Sequence, residues 1–269
     1  MRSSSLAPPA PAHPWRPVAV TGLGAAPALG GLCWAVCAWQ ARRARGGPRP
    51  YEQALAADLR LGAADQPAVR ITWLGDSLAA GLGVDVVDDT PAHLVARMLE
   101  RAVEVRVLAV PGSRAEHVLA DQVPHVGDDT DLVVLCVGAN DVASSTARSR
   151  YAEELDRILV ALAPTPTVLL SLPDMAVADR MAQPLRTLAG LRARWFDAAR
   201  VIVAARHDHV WSVDVASRPA GLSRRAARAM LCADRFHPGP EGYRAWAERI
   251  SMVCHDLLEQ QPMPGLRPA

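Results

Sequence analysis

The chain contains no lysine, so all 29 of its basic side chains are arginine. With abundant alanine, this is read as the coding habit of a GC-rich genome and carries no function. Against 28 acidic residues it leaves a formal net charge of +1, so there is no broad basic footprint for nucleic acid. Neither C-x-x-C nor H-E-x-x-H occurs, and no metal site is indicated. Five cysteines is an odd number. Cys33 and Cys37 lie in an apolar segment, and Cys136 falls in an expected core strand, where it acts as a small hydrophobe. Only Cys232 and Cys254 are candidates for a disulfide, and a pair of reduced thiols is an equal reading. No G-x-G-x-x-G follows a strand, so the early Gly-rich stretches do not read as nucleotide binding. Aromatics make up 4% of the chain, which counts against an aromatic platform for sugars.

What is present falls into five parts. Residues 1–17, rich in Ser, Pro and Ala, read as a disordered tail, and residues 261–269 as another. Residues 18–39 run for 22 positions without a charge, a length suited to a membrane-spanning helix or a signal-peptide core. An uncleaved anchor is the first reading, and cleavage after export is the alternative. Arg42, Arg43, Arg45 and Arg49 follow the segment, against Arg2 and Arg16 before it, a small excess that favours a cytoplasmic domain but leaves its side open. Residues 40–66 read as a linker with one helical pattern over 51–61. Residues 67–260 read as the folded domain.

In that domain short β-rich runs alternate with helical stretches. Strands are expected over 69–74, 103–110, 132–137, 167–172 and 210–215, and helices over 91–101, 115–122, 150–162, 184–205 and 240–260. The run Leu132-Val133-Val134-Leu135-Cys136-Val137 is apolar throughout, as befits a strand covered on both faces. Alternation of this kind predicts a three-layer α/β/α fold with a parallel, doubly wound sheet. In such sheets, sites gather beyond the carboxyl ends of the strands.

Polar motifs stand at those ends. Gly75-Asp76-Ser77-Leu78 closes the first strand, and its turn into a helix start would hold the Ser77 hydroxyl at the sheet edge. Pro111-Gly112-Ser113 follows the second strand, Gly138-Ala139-Asn140-Asp141 the third, and Ala233-Asp234-Arg235-Phe236-His237 precedes the last helix. A serine hydroxyl is a poor nucleophile until a base takes its proton, and imidazole is the side chain suited to take it and return it to a leaving alcohol. Asp234, three residues before His237, could fix the ring tautomer. The backbone N–H groups of Ser77 and Gly112 and the Asn140 amide could donate to a developing oxyanion. Gly at 112 would let the backbone approach closely. Taken singly, each residue also suits an ordinary turn or cap. Asp76 and Asp141 are read as bracing their own turns.

This set, over about residues 69–258, resembles the SGNH (GDSL-type) hydrolase family, whose blocks carry Ser, Gly, Asn and a paired Asp-x-x-His. Gly112 lies in the loosest match. The resemblance implies a flavodoxin-like SGNH fold, a triad of Ser77, His237 and Asp234, an oxyanion hole of Ser77, Gly112 and Asn140, and a cofactor-free serine esterase. The implied substrate is a small-molecule or lipid-like ester. Two other architectures fit less well. The α/β-hydrolase elbow needs glycine where Ala79 stands, and its nucleophile follows several strands, whereas Ser77 follows the first. A flavodoxin-like nucleotide binder leaves Asp234 and His237 unexplained. Glycan or envelope O-deacetylation is the alternative chemistry, and a silent, membrane-tethered binding module the alternative class. Met175, Val177, Met181, Leu185, Leu188 and Leu191 could line an acyl pocket, but the helical spacing of the later ones favours core. Oligomeric state is not readable from the sequence.

Overall fold

The computed structural model describes residues 35–41, 55, 57–217 and 223–260. Six strands form one sheet: β1 (Leu59–Leu61), β2 (Val69–Gly75), β3 (Val103–Val107), β4 (Leu132–Cys136), β5 (Thr167–Leu170) and β6 (Val210–Val213). Their order across the sheet is β1-β3-β2-β4-β5-β6, and every pairing is parallel except that of β1 with β3. The main helices are α1 (Pro91–Met98), α2 (Ala139–Ala143), α3 (Arg148–Leu162), α4 (Leu185–Ala204), α5 (Arg224–Ala229) and α6 (Pro240–Gln260). Helix α1 packs with α6, and α3 with α4. Every residue of β4 and β5 is buried, as in strands covered on both faces.

The five expected strands are all present, and their sequences explain why. β2 buries Ile71, Thr72, Trp73 and Leu74 without a break, and its β-branched and aromatic residues suit a pleated surface. On α6, Tyr243, Ala247, Ile250, Cys254 and Leu257 recur at three- and four-residue steps and bury one face against the domain. Removing that stripe from water is the main stabilising contribution of the helix, at roughly 25 cal/mol per Å² of apolar surface.

The chain runs from β2 outward to β3, then crosses back past β2 to β4. The loop after β2 therefore lies between the loops after β3 and β4, at the point where the winding reverses. That crevice is where open α/β sheets bind ligands.

Two expectations need correction. The helical pattern over 51–61 ends in β1, where Leu59 and Leu61 pack against the core while Arg60 turns out to pair with Glu104 at 3.0 Å. A period of two had been hidden under a period nearer four. No helix starts at Ser77: residues 77–83 form a run of turns, interrupted by Gly81 and Gly83 at positive φ. Cys232 and Cys254 are both free thiols, the latter buried in α6. The expected N-terminal apolar helix over 18–39 lies outside the described residues except at 35–39, which are helical. Among the described residues no helix is long and apolar enough to cross a membrane.

Candidate active site

Ser77 is half-buried on the turn that follows β2, and its turn is held from three directions. Asp76 accepts the N–H of Leu78 at 3.0 Å, Leu82 donates its N–H to the Ser77 carbonyl at 2.8 Å, and Ala80 donates to the Asp76 carbonyl at 3.0 Å. Beneath it, Gln122 grips Gly75 on both sides. Its Oε1 accepts the Gly75 N–H and its Nε2 donates to the Gly75 carbonyl, each at 2.8 Å. The same Nε2 reaches Ser113 Oγ at 3.2 Å, so one buried amide ties the Ser77 loop to the Gly112 loop. The expected motifs did not include Gln122. Its one signal is a polar residue four positions after Val118 and seven after Ala115, on a face that is otherwise apolar.

His237 arrives from the opposite side of the crevice. Its Nε2 lies 3.0 Å from Ser77 Oγ, and its Nδ1 lies 2.6 Å from Asp234 Oδ2. The other carboxylate oxygen, Oδ1, accepts the backbone N–H groups of Phe236 at 2.8 Å and His237 at 2.9 Å, together with the Cys232 thiol at 2.9 Å. Burial acts to raise the Asp234 carboxyl, but the hydrogen bonds from His237 and Cys232 outweigh it and hold the group well below the usual carboxylate range. An ionised carboxylate can only accept, so Nδ1 carries the proton and the neutral ring leaves Nε2 free to accept from Ser77 O–H. Burial, with the Asp234 bond second, pushes the Cys232 thiol up to about 12, so it stays protonated and acts as a donor. The loop closes through Cys232 N–H to the His237 carbonyl at 2.9 Å. Gly83 makes this approach possible, since a Cβ there would stand 2.3 Å from the Pro238 carbonyl oxygen.

The other motif residues converge on the same spot. Asn140, in the first turn of α2, donates from Nδ2 to the Ser113 carbonyl at 3.0 Å, which leaves the second hydrogen of that amide unused. The backbone N–H groups of Ser77 and Gly112 make no hydrogen bond among the described residues. A Cβ at Gly112 would meet no protein atom within 4 Å, and a φ of +85° by itself favours glycine there. Ser77, Gly112, Asn140, Asp234 and His237 all line one cavity of about 1010 Å³.

Asp76 and Asp141 form a second layer. Asp76 is fully buried, its Oδ2 has no hydrogen-bond partner, and burial, with the Asp141 charge adding, pushes its carboxyl up to about 7. Burial likewise raises Asp141 to about 6. Asp76 braces its own turn as expected. Asp141 instead reaches across to the Ala115 N–H at 3.1 Å and so fixes the loop after β3.

The cavity also corrects the reading of the segment after β5. Met175, Val177, Met181, Leu185 and Leu188 all line it, and Leu188 and Leu191 are exposed rather than core. Helical spacing marks one face of a helix but does not say whether a cavity or a core lies against it.

Solved structures share this fold. The solved lipase/acylhydrolase of Enterococcus faecalis superposes with a TM-score of 0.57 at 21% identity, over 70% of this chain and 96% of that one. A member of the lipolytic G-D-S-L family from Veillonella parvula gives 0.54 at 18% identity, over 69% and 98%. At these identities the likeness speaks for the fold. No curated protein matches the sequence. The model of the GDSL-like lipase/acylhydrolase family matches residues 73–245, from the last residues of β2 to the second turn of α6. Spanning most of the sheet and every motif loop, that match places the chain in the GDSL-like lipase/acylhydrolase family, hydrolases that act on ester bonds.

Proposed function

We propose that the chain is a serine esterase in which Ser77 is the nucleophile, His237 the general base and acid, and Asp234 the residue that orients it. The observation that carries this reading is the unbroken relay from Ser77 Oγ through His237 to Asp234, with links of 3.0 and 2.6 Å, opening on an apolar cavity. Ser77 Oγ attacks the ester carbonyl as its proton passes to Nε2, and the carbonyl electrons move onto oxygen. The N–H groups of Ser77 and Gly112 and the free amide hydrogen of Asn140 receive that oxyanion. Collapse expels the alcohol, which takes the proton from Nε2 and leaves an acyl-serine. Water, deprotonated by His237, then attacks the acyl carbon, releases the carboxylic acid and restores Ser77.

Cavity size and lining favour an acyl chain of several carbons over acetyl. An acetyl group fills little of a cavity of about 1010 Å³ that Met175, Val177, Met181 and Leu188 help to line. The test is hydrolysis of p-nitrophenyl esters of increasing chain length by the parent and by Ser77→Ala. Activity that rises beyond acetate and vanishes in the variant supports the reading. Equal inactivity of both folded proteins, with no labelling of Ser77 by a fluorophosphonate, rejects it.

A further inference from the structure

Helix α4 begins without a cap of its own. The first N–H groups of a helix have no acceptor within it, and Pro184, at the head of α4, has no side-chain oxygen to offer. The acceptor comes from 145 residues earlier in the chain. Gln40 Oε1 takes the N–H of Leu185 at 3.2 Å, and Gln40 Nε2 donates to the Gln183 carbonyl at 2.6 Å. One amide therefore uses both of its ends on the bend that opens α4. Gln40 is buried, and burying an amide is costly unless its polar atoms find partners, as its oxygen and its nitrogen do here.

The bend that Gln40 holds belongs to the cavity. Gln183 and Leu185 stand between Met181 and Leu188, and Met181, Leu185 and Leu188 all line it. Ala41, the residue after Gln40, lines the same cavity and is half-buried. A helix cap needs a single oxygen. Fixing both ends of the amide also fixes the chain that carries it, and so holds the Ala41 methyl group in the wall. The family model begins its match at residue 73, so this piece of wall lies outside the matched part of the chain.

We propose that residues 40–41 build one wall of the acyl pocket, with Gln40 as a positioning residue and Ala41 as a determinant of acyl specificity. Gln40 pins the chain across the start of α4, and Ala41 adds an apolar surface facing the space that Met181, Leu185 and Leu188 also line. The inference rests on the serine-esterase reading and deepens it. Part of the preference for acyl length is set by a segment far from the motif loops.

The test is kcat/KM for p-nitrophenyl esters from acetyl to dodecanoyl, measured on the full chain and on Gln40→Ala, Gln40→Glu and Ala41→Trp. A methylene that loses its apolar contact costs about fourfold in binding. Gln40→Ala should therefore lower the ratio of the best ester to the acetate by about fourfold or more, through KM rather than kcat. Gln40→Glu keeps an oxygen for the Leu185 N–H but sets its other oxygen against the Gln183 carbonyl, so it should behave as Gln40→Ala does, whereas a simple helix cap would tolerate it. Ala41→Trp puts a bulky ring in the wall and should move the optimum to shorter acyl groups. Urea unfolding checks that each variant is folded, and Ala41→Trp carries the test if the Gln40 variants are not. Folded variants with the chain-length profile of the parent overturn the inference. An equal fall on the acetate and on the longer esters overturns it too, since Gln40 would then only brace the fold. A parent that cleaves no ester and takes no fluorophosphonate at Ser77 fails the esterase reading itself. A parent that cleaves through Ser77, with a profile that no variant moves, fails this inference alone.

Discussion

Asp76→Asn should stabilise the protein at neutral pH and do so progressively less as the solution is acidified. The carboxyl is fully buried, and burial raises it from the usual 3.8 to about 7. Below about pH 4 it is protonated in both the folded and the unfolded chain and contributes nothing to the pH dependence. As pH rises towards 7 the unfolded chain releases the proton while the folded one retains it, so folding loses stability at up to about 1.4 kcal/mol per pH unit. Above 7 both states are ionised and the deficit stays constant. Over roughly three units this amounts to about 4 kcal/mol, an upper figure that water entry and relaxation around the charged form reduce. Asparagine keeps an oxygen for the Leu78 N–H and cannot ionise. Asp141, raised to about 6, keeps its own smaller penalty in both proteins, so both weaken with pH but the variant weakens less. Urea unfolding followed by tryptophan fluorescence at pH 4.5, 6 and 8, all approximate settings, gives the difference directly. A parent and variant whose stability difference stays flat across that range would refute the buried-acid argument.

Three further outcomes follow from the same geometry. Asn140→Ala removes the proposed oxyanion donor and should lower kcat by about a hundredfold to a thousandfold, with KM for a short p-nitrophenyl ester little changed. Gln122→Leu leaves the Gly75 N–H without its acceptor and should cost about 1–3 kcal/mol in denaturant unfolding, with a fall in kcat because the Ser77 and Gly112 loops are no longer tied. Met181→Trp fills part of the cavity and should shift the chain-length optimum toward shorter acyl groups. Hydrolysis rates across an ester series read this out, and an unmoved optimum would place the acyl chain elsewhere.

The parallel sheet was legible because its strands announce themselves locally. Leu132–Cys136 is apolar at every position, and a run of that kind between two helical patterns has few other uses. The convergence of the motifs was legible for a related reason: chain winding brings the ends of β2, β3 and β4 to one crevice, so motifs distant in sequence could be placed on one edge before their contacts were known. β1 was not legible, since three residues are too few for a period to declare itself against the helical pattern preceding them. Gln122 and Cys232 escaped because their roles depend on what they face. Nothing in the neighbouring sequence says that a glutamine in a helical segment will span two loops, or that a thiol two residues before Asp234 will donate to its carboxylate. The lining of the cavity escaped likewise, because Met175 and Leu188 look the same to a periodicity argument whether they meet side chains or open space.

These escapes share a cause that bears on how the site works. The proposed reacting groups are few and their residue types are dictated by chemistry, so a sequence can point to them. The groups that hold them at 2.6–3.0 Å act through geometry alone. Asp234 shows the division within one side chain. Oδ2 faces the imidazole and fixes its tautomer, while Oδ1 collects two backbone N–H groups and a thiol that lock the carboxylate in place. Each of those donors favours the charged form of Asp234 over the neutral one, so the same bonds that orient the acid also keep it ionised. In the proposed mechanism a carboxylate fixed in this way would reorganise little when His237 takes a proton, and it is there, in the cost of reorganisation avoided, that the supporting residues would act on the rate.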